Sequence, residues 1–213
     1  MARSISSQAS RFFPLKVRLK FYLVGLVVAF LEEFITQGIL KKNLVAWIIP
    51  TLIAFVPFLT VARQIGKVLQ GKMIESRATA YYYAISGAIG LMIEWLVVGL
   101  SPWSNPVANP LLTIIFQLGI FSFWGSVAFA PRLLLDERDS VARLRTWYKR
   151  FLALGFASIY LLTSLAPSDA KFVVGIGSVL ATFIPLNLFY FKYVRVLGKQ
   201  PDFGRTSRSL GPK

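Results

Sequence analysis

The sequence predicts an all-α protein, a polytopic integral membrane helix bundle of about six transmembrane helices. Three observations lead to this fold class. Of the 213 residues, 55% are hydrophobic and 15% are charged, and the mean hydropathy is +0.61, a composition that soluble domains of this length rarely show. Apolar stretches long enough to cross a hydrocarbon core about 30 Å thick recur along the chain. Lys and Arg are concentrated in alternate loops between these stretches.

The apolar runs define six predicted spans, at about 21–40, 44–62, 79–100, 111–130, 151–166 and 172–191. They make one transmembrane domain over 21–192, between basic cytoplasmic tails at 1–20 and 193–213, the second of which we expect to be disordered. Apolar residues at helical spacing from Asp139 onward predict a short interfacial amphipathic helix before span five. Span one is too long and too acidic for a cleaved signal peptide, so we expect an uncleaved N terminus.

The distribution of basic residues predicts the orientation. Of 24 Lys and Arg, 21 lie before span one, after span six and in the loops after spans two and four, and 3 lie in the other loops. The positive-inside rule therefore places the N and C termini in the cytoplasm of a multi-pass protein, in a bacterial inner membrane or a thylakoid-like membrane. The net charge of +15 then reflects topology and attraction to anionic headgroups at the inner face.

This charge pattern also distinguishes membrane partners from nucleic acid. We expect membrane lipids, with partner subunits in the membrane as further candidates, and no nucleic acid, because no basic run is interleaved with base-stacking aromatic residues. Cysteine and histidine are both absent, which excludes disulfides, thiolate metal sites and His-ligated haem or zinc. No cofactor is evident, and no hydrolase or phosphotransferase motif is present.

Four side chains of the predicted spans are out of place in hydrocarbon, namely Glu32 and Glu33 in span one, Glu94 in span three and Gln117 in span four. Together with Gln37 of span one, they lie at similar depths in the outer half. A charged residue at the centre of a membrane helix costs on the order of 2.5–3.5 kcal/mol, so such groups default to a functional role. Two carboxylates that come together would repel each other, so at least one is expected to hold a proton unless a cation intervenes.

Small residues predict how these groups meet. Gly25 and Ala29 share a face with Glu33 in span one, and Gly87 and Gly90 precede Glu94 in span three. We therefore predict that spans one and three pack through these faces. This packing would bring Glu33, or its neighbour Glu32, near Glu94, with Gln117 able to form a hydrogen bond to one of them.

The favoured function is an outer-half carboxylate site that binds a proton, a cation or a small substrate in a transporter-like protein, with Glu32, Glu33, Gln37, Glu94 and Gln117 as ligands. Ligands that are all oxygen would suit a divalent cation such as Mg²⁺, Ca²⁺ or Mn²⁺. A purely structural role, in which these residues only satisfy each other's hydrogen bonds, is the main alternative at the level of the site.

Two other functions stay open. One is a membrane enzyme that acts on a lipid or isoprenoid, with Glu32, Glu33 and Glu94 as candidate catalytic acids and bases. Phe30–Phe34 resembles the Leu-Glu-Glu-Phe segment of small membrane lycopene cyclases of the heterodimeric type, with Phe30 where that segment has Pro, and the resemblance implies this reaction class. The other is an accessory or scaffold subunit of a larger membrane complex.

Overall fold

All regular secondary structure in the described part of the chain is helical, as predicted. The structure is a computed structural model that describes residues 15–40, 42, 44–99, 101–103 and 109–199. It contains six long helices, two of which end in a π-helical segment. They are α1 (Leu15–Glu33, continued by a π segment at Phe34–Leu40), α2 (Leu44–Lys72), α3 (Glu75–Ile93, continued by a π segment at Glu94–Val98), α4 (Pro110–Leu134), α5 (Asp139–Leu165) and α6 (Lys171–Gly198).

Five of the six helices are long and apolar enough to cross a membrane. The helix outside this group is α5, because its first half carries basic residues up to Arg150. In the five spans only 22–44% of the most apolar stretch is buried, so most apolar side chains face outward; Val97 and Val173, for example, are 79% and 71% exposed. Such a surface is typical of a protein whose solvent is lipid.

The predicted interfacial amphipathic helix before span five is not an element of its own, because α5 runs without a break from Asp139 to Leu165. Its buried residues recur at helical spacing through both halves, from Val141 through Tyr148 and Leu152 to Ile159. These residues form one continuous apolar stripe. α5 packs mainly against α6, for example through Tyr148 on Phe189 and Phe156 on Phe183.

Other helices also extend beyond the predicted spans. α1 begins at Leu15, α2 continues to Lys72 and α6 continues to Gly198, because charged side chains end an apolar span without ending a helix. The remaining parts of the two predicted tails, residues 1–14 and 200–213, lie outside the described residues.

The central element of the bundle is α4, in which every residue from Ser122 to Pro131 is buried. It packs against α1, α3 and α6, and α1 and α3 also pack against α2. We call the end of the bundle where α1 and α3 end and α2 and α4 begin the carboxylate end. The opposite end, where α2, α4 and α6 end and α3 and α5 begin, is the basic end.

Candidate functional site

Both membrane helices that carry Glu residues change their winding next to these residues. α1 becomes π-helical directly after Glu33, and α3 becomes π-helical at Glu94. A π segment adds a residue to the turn, which rotates the following side chains relative to the preceding ones, and such segments are frequent at functional sites. At the start of the first one, the Trp47 indole N–H donates a hydrogen bond of 2.9 Å to the Phe30 carbonyl, which supports the backbone where the helix rewinds.

The structure places Glu32 on the buried face of α1. Glu32 is 8% exposed and lies on the same face as the buried Val28, Ala29 and Ile35. Glu33 and Gln37, by contrast, are half-buried. The Thr36 hydroxyl donates a bond of 3.4 Å to Oε2 of Glu33. Of the two neighbouring carboxylates, Glu32 is therefore the one directed to the interior of the bundle.

Glu94 is held by a partner that the sequence did not indicate. The indole N–H of Trp124 donates a hydrogen bond of 3.0 Å to Oε1 of Glu94. Trp124 is 2% exposed, and it stacks on Phe55 of α2 with ring centroids 4.4 Å apart and makes an edge contact with Phe58. Because the indole is buried and packed against both of these rings, its N–H donor has a fixed position within the carboxylate end.

A second tryptophan holds Gln117. The Trp95 indole donates a hydrogen bond of 2.6 Å to the side-chain oxygen of Gln117, and Trp103 packs against Trp95 with ring centroids 5.0 Å apart. Trp95 follows Glu94 directly, so adjacent residues of α3 carry the two links to α4. All five predicted polar residues lie at the carboxylate end, two of them linked to tryptophan indoles.

The prediction that α1 and α3 pack on each other through small residues is wrong. A Cβ atom at Gly25 would lie 2.6 Å from a methyl carbon of Leu59, which belongs to α2, and one at Gly90 would lie 2.0 Å from Cγ of Trp124, which belongs to α4. The small residues do allow close approach, as predicted, but to other helices. α1 and α3 are instead joined through α2 and α4.

In the described ranges, no three acidic side chains form a group that could hold a metal ion. The divalent cation site predicted from Glu32, Glu33 and Glu94 stays a prediction that would require neutral ligands as well, such as Gln117 or backbone carbonyls. A proton, by contrast, needs only one carboxylate with a suitable neighbour.

A polar cluster that the sequence reading missed lies nearer the middle of the bundle. The Tyr83 hydroxyl donates to Oδ1 of Asn187, and Nδ2 of Asn187 donates to Ser122 over 2.8 Å. Tyr83 also stacks on Tyr190, with centroids 4.1 Å apart. These contacts join α3, α4 and α6. From residue 83 to residue 94 the helix rises about 16 Å, so this cluster is too distant to form hydrogen bonds with Glu94.

An ion cluster closes the basic end. Arg138 forms two bonds of 2.8 Å with the Glu75 carboxylate and one of 2.8 Å with Oδ1 of Asp136, and Tyr193 donates a bond of 2.7 Å to Oδ2 of Asp136. Burial by itself would raise the pKa of the Asp136 carboxyl, but the bonds from Arg138 and Tyr193 outweigh it and hold this pKa below its ordinary value of 3.8. The hydrogen bond to Asp136 also raises the pKa of Arg138. The cluster fixes the start of α3 to the α4–α5 loop and the end of α6.

No family model, curated protein or solved structure matches this chain. Its function must therefore be inferred from the arrangement of its own residues.

Proposed function

We propose that this is a multi-pass membrane protein that binds a proton, a cation or a small substrate at the carboxylate end, with Glu94 as the central ligand. The observation that supports this most is the hydrogen bond from the buried Trp124 indole to the Glu94 carboxylate within an apolar span, at the first residue of a π segment. A fixed neutral donor stabilises a carboxylate without neutralising it. We propose that the carboxylate held in this way exchanges a proton or a cation.

The second part of the proposal is the topology. We propose that α5 also crosses the membrane, through its apolar half from Phe151 to Leu165, because this half packs along α6 and buries Phe156 and Ile159. Six crossings put both chain ends at the basic end, where 21 of the 24 Lys and Arg are expected. By the positive-inside rule the basic end then faces the cytoplasm, and the carboxylate end faces the other side.

The energetics of the bilayer favour proton binding. A charged residue in the centre of a membrane helix costs on the order of 2.5–3.5 kcal/mol, and protonation or a bound cation removes that cost. Glu32 and Glu94 are both in apolar spans, and Glu32 is 8% exposed. The cluster around Asn187 does not reach them, so we propose that the ligand enters and leaves from the carboxylate end alone.

The test measures thermal unfolding of the purified full chain in detergent, between pH 5 and pH 8, with and without millimolar Mg²⁺, Ca²⁺ or Mn²⁺. Infrared titration of the protonated carboxyl band accompanies it. We expect a pH-dependent carboxyl band in the parent that Glu94→Gln and Glu32→Gln each diminish. Trp124→Phe keeps the ring packing but removes the donor, and it should shift the pH at which the band changes. Asp169→Asn is the matched control, since Asp169 is an exposed acid between α5 and α6 at the same end.

A different outcome would favour a structural role. If Glu32→Gln/Glu94→Gln unfolds with the same dependence on pH and on divalent ions as the parent and Asp169→Asn, the carboxylates only connect helices. A cation site is supported if one divalent ion raises the melting temperature of the parent but not that of Glu94→Gln.

A further inference from the structure

A second, independent site lies at the basic end. There the first half of α1, the ends of α2, α4 and α6, the start of α3 and the α4–α5 loop surround a cavity of about 180 Å³. A cavity of roughly 15 Å³ can hold one water molecule, so this cavity has room for a polyatomic ligand. It is distant from the carboxylate end, and its test does not depend on that of the proposed function.

The lining of this cavity is positively charged. Four basic side chains, Arg63, Lys67, Arg132 and Arg138, face two acidic ones, Glu75 and Asp136. Arg138 bridges both carboxylates. With four basic and two acidic side chains, the lining has a net charge of two positive units. The space is partly enclosed by protein, where charges are screened less than at a free surface.

Arg132 is the residue that indicates a ligand. Its guanidinium lies over the Tyr82 ring, 4.7 Å from the centroid, and its Nη1 atom is buried with no hydrogen-bond partner among the described residues. Gly66 lies beside this group, since a Cβ atom there would be in van der Waals contact with Nη1 at 3.7 Å. Buried donors of charged groups almost always have an acceptor, and here the described residues do not supply one.

We propose that this cavity binds a phosphate group, with Arg132 as the main ligand and Arg63 and Lys67 as supporting charges. A guanidinium presents paired N–H donors that match two oxygens of a phosphate. The site lies at the helix ends that carry the basic residues, at the level expected for lipid headgroups. Phe21 and Tyr82 add apolar surface to the wall, which suits the organic part of a phosphate ester.

A phosphate group can come from the headgroup of a membrane phospholipid or from a soluble phosphate, and the experiment separates these sources. One arm titrates the purified full chain in detergent with sodium phosphate against sodium chloride at equal ionic strength, and reads the melting temperature. The other arm exposes the protein to mixed micelles that contain dioleoyl phosphatidic acid or dioleoylglycerol, and counts the retained lipid by native mass spectrometry. Dioleoylglycerol has the same acyl chains without the phosphate.

The variants are Arg132→Met, which keeps a long apolar side chain without donors, and Arg132→Lys, which keeps the charge without the planar fork. Arg77→Met is the matched control, because Arg77 is an exposed basic residue of α3 at the same end that does not line the cavity. Arg132→Met should weaken binding of the phosphate-containing probe about tenfold to a hundredfold, and Arg77→Met less than about threefold. The affinity of Arg132→Lys for the probe should lie between those of these two variants. If Arg132→Met fails to fold, Arg132→Lys replaces it in the comparison with Arg77→Met.

The site is supported if phosphatidic acid, inorganic phosphate or both bind saturably to the parent and this binding is lost in Arg132→Met. The probe that binds identifies the source of the phosphate group. The proposal is overturned if neither probe binds saturably to the parent. It is also overturned if Arg132→Met and Arg77→Met weaken binding equally, since that result would mean attraction to general surface charge.

Discussion

Replacing Gly90 by Ala should destabilise the bundle strongly, although it adds a single methyl group. The new Cβ atom would lie 2.0 Å from Cγ and 2.1 Å from Cβ of Trp124, whereas carbon atoms in contact are normally about 3.5–4.0 Å apart. Trp124 is 2% exposed and stacks on Phe55, so its side chain has no space into which it can move. α3 and α4 must separate instead.

The expected magnitude follows from two costs. Overpacking of a buried contact costs about 1–3 kcal/mol, and separating the helices weakens the hydrogen bond from Trp124 to Glu94, which contributes about 0.5–1.5 kcal/mol. Gly177→Ala is the matched control: it also replaces a helical glycine, but nothing lies within 4 Å of the added Cβ. The gain in helix propensity cancels between the two variants, so they should differ by about 1.5–4.5 kcal/mol, or about 3–18 °C in melting temperature.

Thermal unfolding in dodecyl maltoside, followed by tryptophan fluorescence, measures this difference. Gly87→Ala provides an intermediate case, because its Cβ would meet the ring edge of Phe121 at 2.7 Å, and the half-buried ring can turn aside. We expect the order Gly90→Ala, Gly87→Ala, Gly177→Ala from lowest to highest melting temperature. If Gly90→Ala melts within about 2 °C of Gly177→Ala, α3 and α4 do not meet through this glycine, and Trp124 does not lie against α3 as described.

Three further variants test other parts of the structure by the same unfolding measurement. Asn187→Leu removes the amide that joins α3, α4 and α6 and should cost about 0.6–1.7 kcal/mol; no loss would mean that these helices do not meet there. Asn109→Ala removes the side chain that accepts from the backbone N–H of Leu111 and Leu112 at the start of α4 and should cost about 0.5–2 kcal/mol, whereas Asn109→Asp should cost little. Asp136→Asn should cost about 1–2 kcal/mol at pH 7. The folded pKa of Asp136 is lowered from 3.8, so the stabilisation by its carboxylate is complete above about pH 4 and is lost as the pH falls through the folded pKa. The difference in stability between Asp136→Asn and the parent should therefore shrink in that range. A difference that stays constant with pH would contradict the ion cluster.

The sequence predicts where the membrane helices lie better than it predicts what they touch. Hydropathy locates the spans because most residues that face lipid must be apolar, whichever helix lies next to them. It does not locate helix ends, since α5 and α6 continue through basic residues that the bilayer excludes but a helix tolerates. Small residues such as Gly25 and Gly90 show that a close contact exists, but the identity of the facing helix depends on the whole arrangement of the bundle.

The π segments could not be predicted at all. The sequence of α3 continues through Glu94 with residues that suit an ordinary α-helix, and the change of winding depends on contacts with other helices. The links of Trp47 to Phe30 and of Trp124 to Glu94 are such contacts. Each joins residues far apart in the chain, so no local pattern records them.

At the carboxylate end, the described hydrogen-bond donors between helices are carried largely by tryptophans, which are counted among the hydrophobic residues of the chain. A buried helix such as α4 excludes most polar groups, because every donor or acceptor that is left unpaired in lipid or in a packed interior costs free energy. A tryptophan brings one N–H donor on a large apolar body, so it can reach a polar partner with little desolvation. Three of them, Trp47, Trp95 and Trp124, donate at the carboxylate end. In a span that also contains acidic residues, tryptophans are therefore the residues in which to look for the missing hydrogen-bond donors, ahead of Ser, Thr and Asn.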